Sequence, residues 1–357
     1  MIYLDYQATT PLAPEAKDAM LRWLDGPGGV GFGNPHSPHR MGRQAAAAIE
    51  AARDHVAALF PPGGRVIFTS GATEALNLAI RGSGKVGHVS VSAIEHAAVL
   101  DTVRDAGKAH ILNVAPDGQC NTKQDMPSDT RLIAVMAVNN EIGVIQPTID
   151  WHRKAKEAGA LFLIDAVQAY GRIAVTGADM IAVSAHKIHG PKGVGALWVR
   201  DGVTLHEQQT GGGQEHGLRS GTLSPALIAG FGAAAALAKE RMEQDAAHID
   251  ALWERACTLF ADWTLNGSEE VRWRGNLNIR KDGLDVGRLM SEARQVMFSA
   301  GSACASGSGR PSHVLKAIGL SDKQAKSSIR LGFGRYTTIE ELEEAAELIN
   351  NAASQQI

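Results

Sequence analysis

Residues 179–200 read DMIAVSAHKIHGPKGVGALWVR. An apolar run ends on His186 and Lys187, and a glycine-studded turn leads into a second apolar run ending at Arg200. Short apolar runs bounded by glycine and proline have the length of buried strands and are too short for helices. A strand that ends on a lysine sets an amine at its carboxyl end, so the segments that converge there decide its use.

The same texture recurs upstream in RVIFTS (65–70), HVSVSA (88–93), AHILNVA (109–115), RLIAVMAV (131–138) and ALFLIDA (160–166). Helix-patterned stretches lie between many of them: TEALNLAIRG (73–82), HAAVLDTVRDAG (96–107) and DWHRKAKEAG (150–159), with HRMGRQAAAAIEAARDHVAALF (39–60) ahead of the first. Strands alternating with helices predict an α/β fold, a mostly parallel sheet wrapped by helices. Ligands of such sheets bind at the carboxyl ends of the strands. From about Ala233 a long, charged, alanine-rich helical region begins. The remainder, with VRWRGNLNIR, QVMFSAGSACASG and SSIRLGFGRYTT, reads as a smaller α+β unit. The expected division is a large α/β domain over 15–249 and a small domain made of 1–14 with 250–357.

With 44% hydrophobic and 20% charged residues and a net charge of -3, the 357-residue chain has ordinary soluble composition and gives no reason to expect a nucleic-acid or membrane partner. Its longest apolar tract, ALIAGFGAAAALA, is too short to span a bilayer. The start, MIYLDYQATTPLAPE, lacks a basic region followed by an apolar core, so no signal peptide is expected. Three cysteines do not make a disulfide framework in a chain this long, and the expected setting is cytoplasmic. The 39 glycines cluster at junctions such as TSGATE, HGPKGVG and SAGSACASGSGRP, as in a site assembled from many segments.

The residues just after each apolar run carry the candidates. RVIFTS runs into GATEALNLAI, a glycine turn feeding a helix start, where free N–H groups face an anion and Thr73 adds a hydroxyl. A plain capped helix reads the same way. His96 follows the next run, and Asn139, Asn140 and Glu141 follow RLIAVMAV. Asp165 ends four apolar residues, and a carboxylate so nearly buried needs a cationic or donor partner. Asp165 and Lys187 fit a simple ion pair. They also fit a lysine Schiff base to pyridoxal phosphate with a carboxylate on the pyridinium nitrogen, the anion turn at Gly71, Ala72 and Thr73, and His96 over the ring. Burial would also lower the lysine pKa enough for it to act as a base.

Cys304 lies in FSAGSACASGSGRP, a run without bulk to bury it, and is a candidate nucleophile. Cys257, in ERACTLF, reads as a core residue, and Cys120, in PDGQCNT, as a turn residue. Arg330 in SSIRLGFG offers a planar fork for a carboxylate. The pairs His186 with His189 and His36 with His39 lack further ligands at metal spacing, so no metal centre is expected.

Taken together, YLDYQATTP, FGNPHSPHRMG, VIFTSGATEALNLAI, VNNEIGVIQP, IDAVQAYG, SAHKIHGPKGVGALWVR, GGGQEHGLRSGT, SAGSAC and SSIRLGFGRYTT resemble the cysteine desulfurases of the NifS/IscS type, within the class V aminotransferase group. The resemblance runs through nearly the whole chain. It implies a type I pyridoxal-phosphate fold and conversion of L-cysteine to L-alanine, leaving a persulfide for a sulfur acceptor such as an iron–sulfur scaffold. It further implies that Lys187 carries the cofactor, Asp165 pairs with its ring nitrogen, and His96 stacks on the ring. Asn140 and Gln168 would approach the phenolic oxygen, while Ala72, Thr73, Ser184 and His186 hold the phosphate. Thr222 would reach the phosphate from the other subunit of a homodimer. Asn34 and Arg330 would take the substrate carboxylate, Cys304 the sulfur, and His96 would shuttle a proton. A selenocysteine lyase or another class V enzyme is the alternative. Ala137 stands where relatives often carry histidine, and the longer C-terminal tail of relatives serving the general iron–sulfur system is absent, so that docking mode is not carried over.

Overall fold

The computed structural model describes residues 1–301 and 311–357. The chain opens with the two-residue strand β1 (Ile2–Tyr3) and helices α1 (Pro14–Leu21) and α2 (Arg40–Ala57). Then come β2 (Gly64–Thr69), α3 (Ala72–Gly82), β3 (His88–Ser92), α4 (Ala97–Ala106), β4 (Lys108–Leu112) and β5 (Thr130–Ala134). They are followed by α5 (Thr148–Glu157), β6 (Leu161–Asp165), β7 (Met180–Ser184) and β8 (Gly195–Arg200). β2 to β8 form one seven-stranded sheet in the order β2-β8-β7-β6-β5-β3-β4.

Every apolar run expected to be a strand is a strand of this sheet, and the runs alternate faces along each strand. On β2, Ile67 joins the core under α3 and α4, while Val66 and Phe68 join the larger core on the opposite face. Leu163 and Ile164 divide in the same way on β6, as do Ala182 and Val183 on β7. All neighbours are parallel except β8, which runs against both β2 and β7. β7 and β8 therefore form a hairpin with Ser184 opposite Gly195, and Lys187 lies in the loop that joins them.

The long helix α6 (Pro225–Leu259) starts earlier than the sequence texture implies. Ser224 caps it and Pro225 fits its first turn. Gly230 and Gly232 look like breakers in sequence, yet both are helical. A Cβ on Gly232 would lie 2.7 Å from Ala52 Cα of α2, and one on Gly230 would lie 2.6 Å from Met20 Cγ of α1. The glycines let α6 lie directly on both helices. One other expectation is corrected, and a second is extended. Cys257 is exposed on α6 beside the buried Ala256, so it is not core. Cys120 is fully buried, against Gln124.

Beyond α6, β9 (Thr264–Leu265), β10 (Asn276–Arg280), β12 (Ser299–Ala300) and β13 (Ser328–Gly332) form a second sheet in the order β12-β13-β10-β9. β11 (Val296–Met297) pairs in parallel with β1. That pairing carries residues 5–10 from the small sheet to the end of β7, where Thr10 N–H donates to the His186 carbonyl at 2.9 Å.

Candidate active site

A cavity of about 570 Å³ opens at the carboxyl ends of the central strands. Lys187 enters it from a single 3-10 turn, Ala185–Lys187, that continues β7. Its Nζ donates to the carbonyl of Gln7 and, at 2.8 Å, to that of Ala8. Burial, helped by the nearby Arg330 and Arg172, pulls its pKa down to about 8. Asp165, the last residue of β6, is 6% exposed, and its Oδ1 accepts Val167 N–H at 2.9 Å. Burial raises its pKa, against the pull of His96 and Lys187. A carboxylate held there suits a cationic ring nitrogen.

The turn between β2 and α3 faces the same space through Ser70, Gly71, Ala72 and Thr73. Gly71 has φ 156° and ψ 176°, a region that only glycine occupies readily. This turns the first N–H groups of α3 outward, where the helix dipole favours an anion. Behind it, a Cβ on Gly195 would come within 2.7 Å of Gly71 Cα and 2.5 Å of the Val183 carbonyl. The cradle therefore depends on backbone meeting backbone at β8. Ser184 and His186 complete this side of the wall. His186 Nδ1 lies 3.1 Å from Thr9 Oγ1, and burial pulls its pKa down to about 4, so it is neutral at pH 7.

His96 caps α4, its Nδ1 accepting Ala98 N–H at 3.1 Å, so a neutral ring carries its proton on Nε2. Asn140 and Gln168 line the wall nearby. Gln168 Nε2 donates to the Gln7 carbonyl at 3.0 Å and its Oε1 accepts from Arg172 at 2.6 Å. Arg330, on β13, is 1% exposed. It donates to Asp5 Oδ1 at 2.7 Å, Ser299 Oγ at 3.2 Å and the Asn140 carbonyl at 3.1 Å. Among the described residues its Nε has no hydrogen-bond partner.

The structure thus gathers Lys187, Asp165, His96, Asn140, Gln168, Ser184, His186, Ala72, Thr73 and Arg330 around one cavity. It leaves Asn34 and Thr222 off its wall. Asn34 is exposed on the loop after α1, accepting His36 N–H at 2.9 Å, and Thr222 is exposed just before α6. Cys304 lies outside the described residues. Sequence reasoning passed over the part played by Gln7 and Ala8 and by Arg172; it named Glu141, which is buried with its carboxylate accepting from Ser312. Only the polar run DYQATTP hinted at the first pair. Among the described residues no group of His, Cys, Asp and Glu could hold a metal ion, and no helix is long and apolar enough to cross a membrane.

An amine at a strand end, a carboxylate for a ring nitrogen, a helix-start anion cradle and a histidine beside them are the parts of a pyridoxal-phosphate site, and the residues present fit that group. Comparison with known proteins agrees. The chain belongs to the class V aminotransferase family, whose model matches residues 2–344. It is 40% identical to the cysteine desulfurase IscS of Rickettsia bellii (strain OSU 85-389), covering 98% of this chain and 90% of that protein. The protein of the same name from Colwellia psychrerythraea is also 40% identical, over 98% and 92%. Among solved structures, a NifS-like protein superposes with a TM-score of 0.90 at 29% identity over 99% of both chains. SspA in complex with cysteine does so with a TM-score of 0.83 at 33% identity, over 95% of this chain and 100% of that one.

Proposed function

We propose that this protein is a cysteine desulfurase that releases L-alanine from L-cysteine and holds the sulfur as a persulfide on Cys304. One observation carries the reading: Lys187, Asp165 and the α3 cradle share a cavity in a chain 40% identical to named cysteine desulfurases. When bound, pyridoxal phosphate supplies an electron sink for the pair left at the substrate's α-carbon. Ala72, Thr73, Ser184 and His186 hold its phosphate, Asp165 holds its ring nitrogen protonated, His96 covers its face, and Asn140 and Gln168 meet its phenolic oxygen. Arg330 grips the substrate carboxylate; Asn34, which lies off the wall of this cavity, would reach it only with a rearrangement of its loop or from a second copy.

The Lys187 amine, titrating near 8, is matched to take up the α-proton near neutral pH. The Cys304 thiolate attacks the substrate sulfur. The carbon–sulfur bond breaks and its electron pair stays with the β-carbon; protonation there and return of the Lys187 proton to the α-carbon give alanine while Cys304 keeps the sulfur. His96 moves a proton at Nε2 to or from the thiol. The enzyme works in the cytoplasm as a homodimer, with Thr222 of each subunit reaching the other's phosphate site, and passes its sulfur to an acceptor protein such as an iron–sulfur scaffold.

The test is alanine formed from L-cysteine by cofactor-loaded protein with a thiol reductant, beside Cys304→Ala. Alanine from the wild type alone is expected. Equal rates from both proteins would remove Cys304 from the mechanism, and no alanine from the wild type would overturn the desulfurase reading.

A further inference from the structure

Arg172 is not on the cavity wall, yet it touches two of the segments that build it. Its Nη1 donates to Gln168 Oε1 at 2.6 Å and to the Gln168 carbonyl at 3.2 Å, and its Nη2 donates to the Lys187 carbonyl at 2.8 Å. The guanidinium lies 4.2 Å from the centre of the Trp273 ring, a stack that fixes its plane. Gln168 Nε2 reaches the Gln7 carbonyl, which also accepts from Lys187 Nζ. The bonds therefore close a circuit from Arg172 through Gln168, Gln7 and Lys187 back to Arg172.

We infer that Arg172 is a positioning residue of this site, one that decides which end of the Gln168 amide faces the cavity and anchors the backbone of Lys187. The inference rests on the cofactor reading above and deepens it. A guanidinium has only donors, so it demands the oxygen of Gln168. The amide nitrogen is then turned away from Arg172 with two hydrogens. One serves the Gln7 carbonyl, and the other is left for an acceptor in the cavity, such as the cofactor's phenolic oxygen. A flipped amide would set oxygen against oxygen. The Gln7 carbonyl asks for the same orientation, but the charged bond from Arg172 is the stronger of the two. Arg172 also places a cation beside Lys187. The other charged or titratable groups acting on that amine are Arg330, Asp165 and Asp5, and His96, His186, Lys192, Glu74, Glu141 and His313 line the same cavity.

The experiment titrates the visible absorbance of the bound cofactor against pH in the holoenzyme, with melting temperature measured in parallel. Arg172→Met removes a cation and releases Gln168, so its midpoint should rise by about one pH unit. Arg172→Lys keeps the charge and most of the stem but cannot span Gln168 and the Lys187 carbonyl together. It should shift the midpoint in the same direction by less, and it carries the test should the Met variant fail to fold. In a Gln168→Leu background Arg172→Lys should move the midpoint no further. A melting temperature that falls while the midpoint stays at the wild-type value would overturn the inference, as would shifts that simply add in the double variant. A wild type that takes up cofactor without any such band would instead overturn the cofactor reading, and the inference with it.

Discussion

Glu141 illustrates how one side chain records the electrostatics of this cavity. It is 3% exposed, and burial lifts its pKa to about 7 even though the Ser312 hydroxyl, Arg330 and His96 all pull the other way. A carboxyl raised in the folded state contributes fully below its ordinary value of 4.5 and loses that contribution as pH climbs through 7. Above that pH the fold carries an enclosed charge that the unfolded chain would leave in water. Glu141→Gln removes the charge and keeps an oxygen for Ser312. It should therefore stabilise the cofactor-free protein at pH 8 by on the order of 2 to 3 kcal/mol and leave it nearly unchanged at pH 4.5. Urea unfolding at the two pH values checks this, and an equal effect at both would refute it. His186 is half-buried beside the same cavity with the opposite sign: its depressed pKa keeps it neutral, and what it contributes is lost as pH falls from 6.5 toward 4.

At the scale of elements, the packing of α6 follows from two glycines that face different neighbours. Alanine at either position gains up to ~1 kcal/mol of helix propensity. At Gly232 the new Cβ would lie 2.6 Å from Ala52 Cβ and 2.7 Å from its Cα, so two helix backbones would have to part. At Gly230 the nearest atoms are Met20 Cγ and Sδ, at 2.6 and 2.9 Å, in a side chain that can swing aside. Gly232→Ala should therefore destabilise by about 1 to 3 kcal/mol, while Gly230→Ala stays within ~1 kcal/mol of wild type. Equal denaturation midpoints for the two variants would contradict this account. The same helix marks where sequence patterning stops being informative. The seven strands are legible because runs such as LFLI are buried on both faces. The reversal of β8 is not, since GALWVR is equally apolar in either direction. The early start of α6 is hidden because a glycine there has a use only once α1 and α2 are in place. Cys257 was misread because its neighbours are apolar, although its own position turns outward.

Over the whole molecule, the cavity is assembled from strand ends, the N-terminal strip and the small sheet, and these differ in legibility. Lys187, Asp165, His96 and the Gly71 turn stand where apolar runs stop, and the fold rule for parallel sheets points to them. Gln7 acts through its carbonyl on Gln168 and Lys187, both distant in sequence, and Arg172 holds Gln168 and the Lys187 backbone through an irregular turn, so no apolar periodicity encodes either one. Thr222 is different again: in a single chain it is exposed and away from the wall, so a role at the phosphate requires a second copy. A shared site makes a prediction that no single-chain site can satisfy. In a homodimer with shared sites, Lys187→Ala would lack the amine in both cavities, and Thr222→Asp would set a negative charge beside both phosphates. When the two variants are co-expressed and pair at random, half of the dimers are mixed. Each mixed dimer has one cavity with both defects and one with Lys187 from one subunit and Thr222 from the other. Two nearly inactive proteins should then give about a quarter of wild-type alanine production in the mixture. Activity no higher than the mean of the separate variants, in a preparation shown by differential tags to contain mixed dimers, would confine Thr222 to its own subunit.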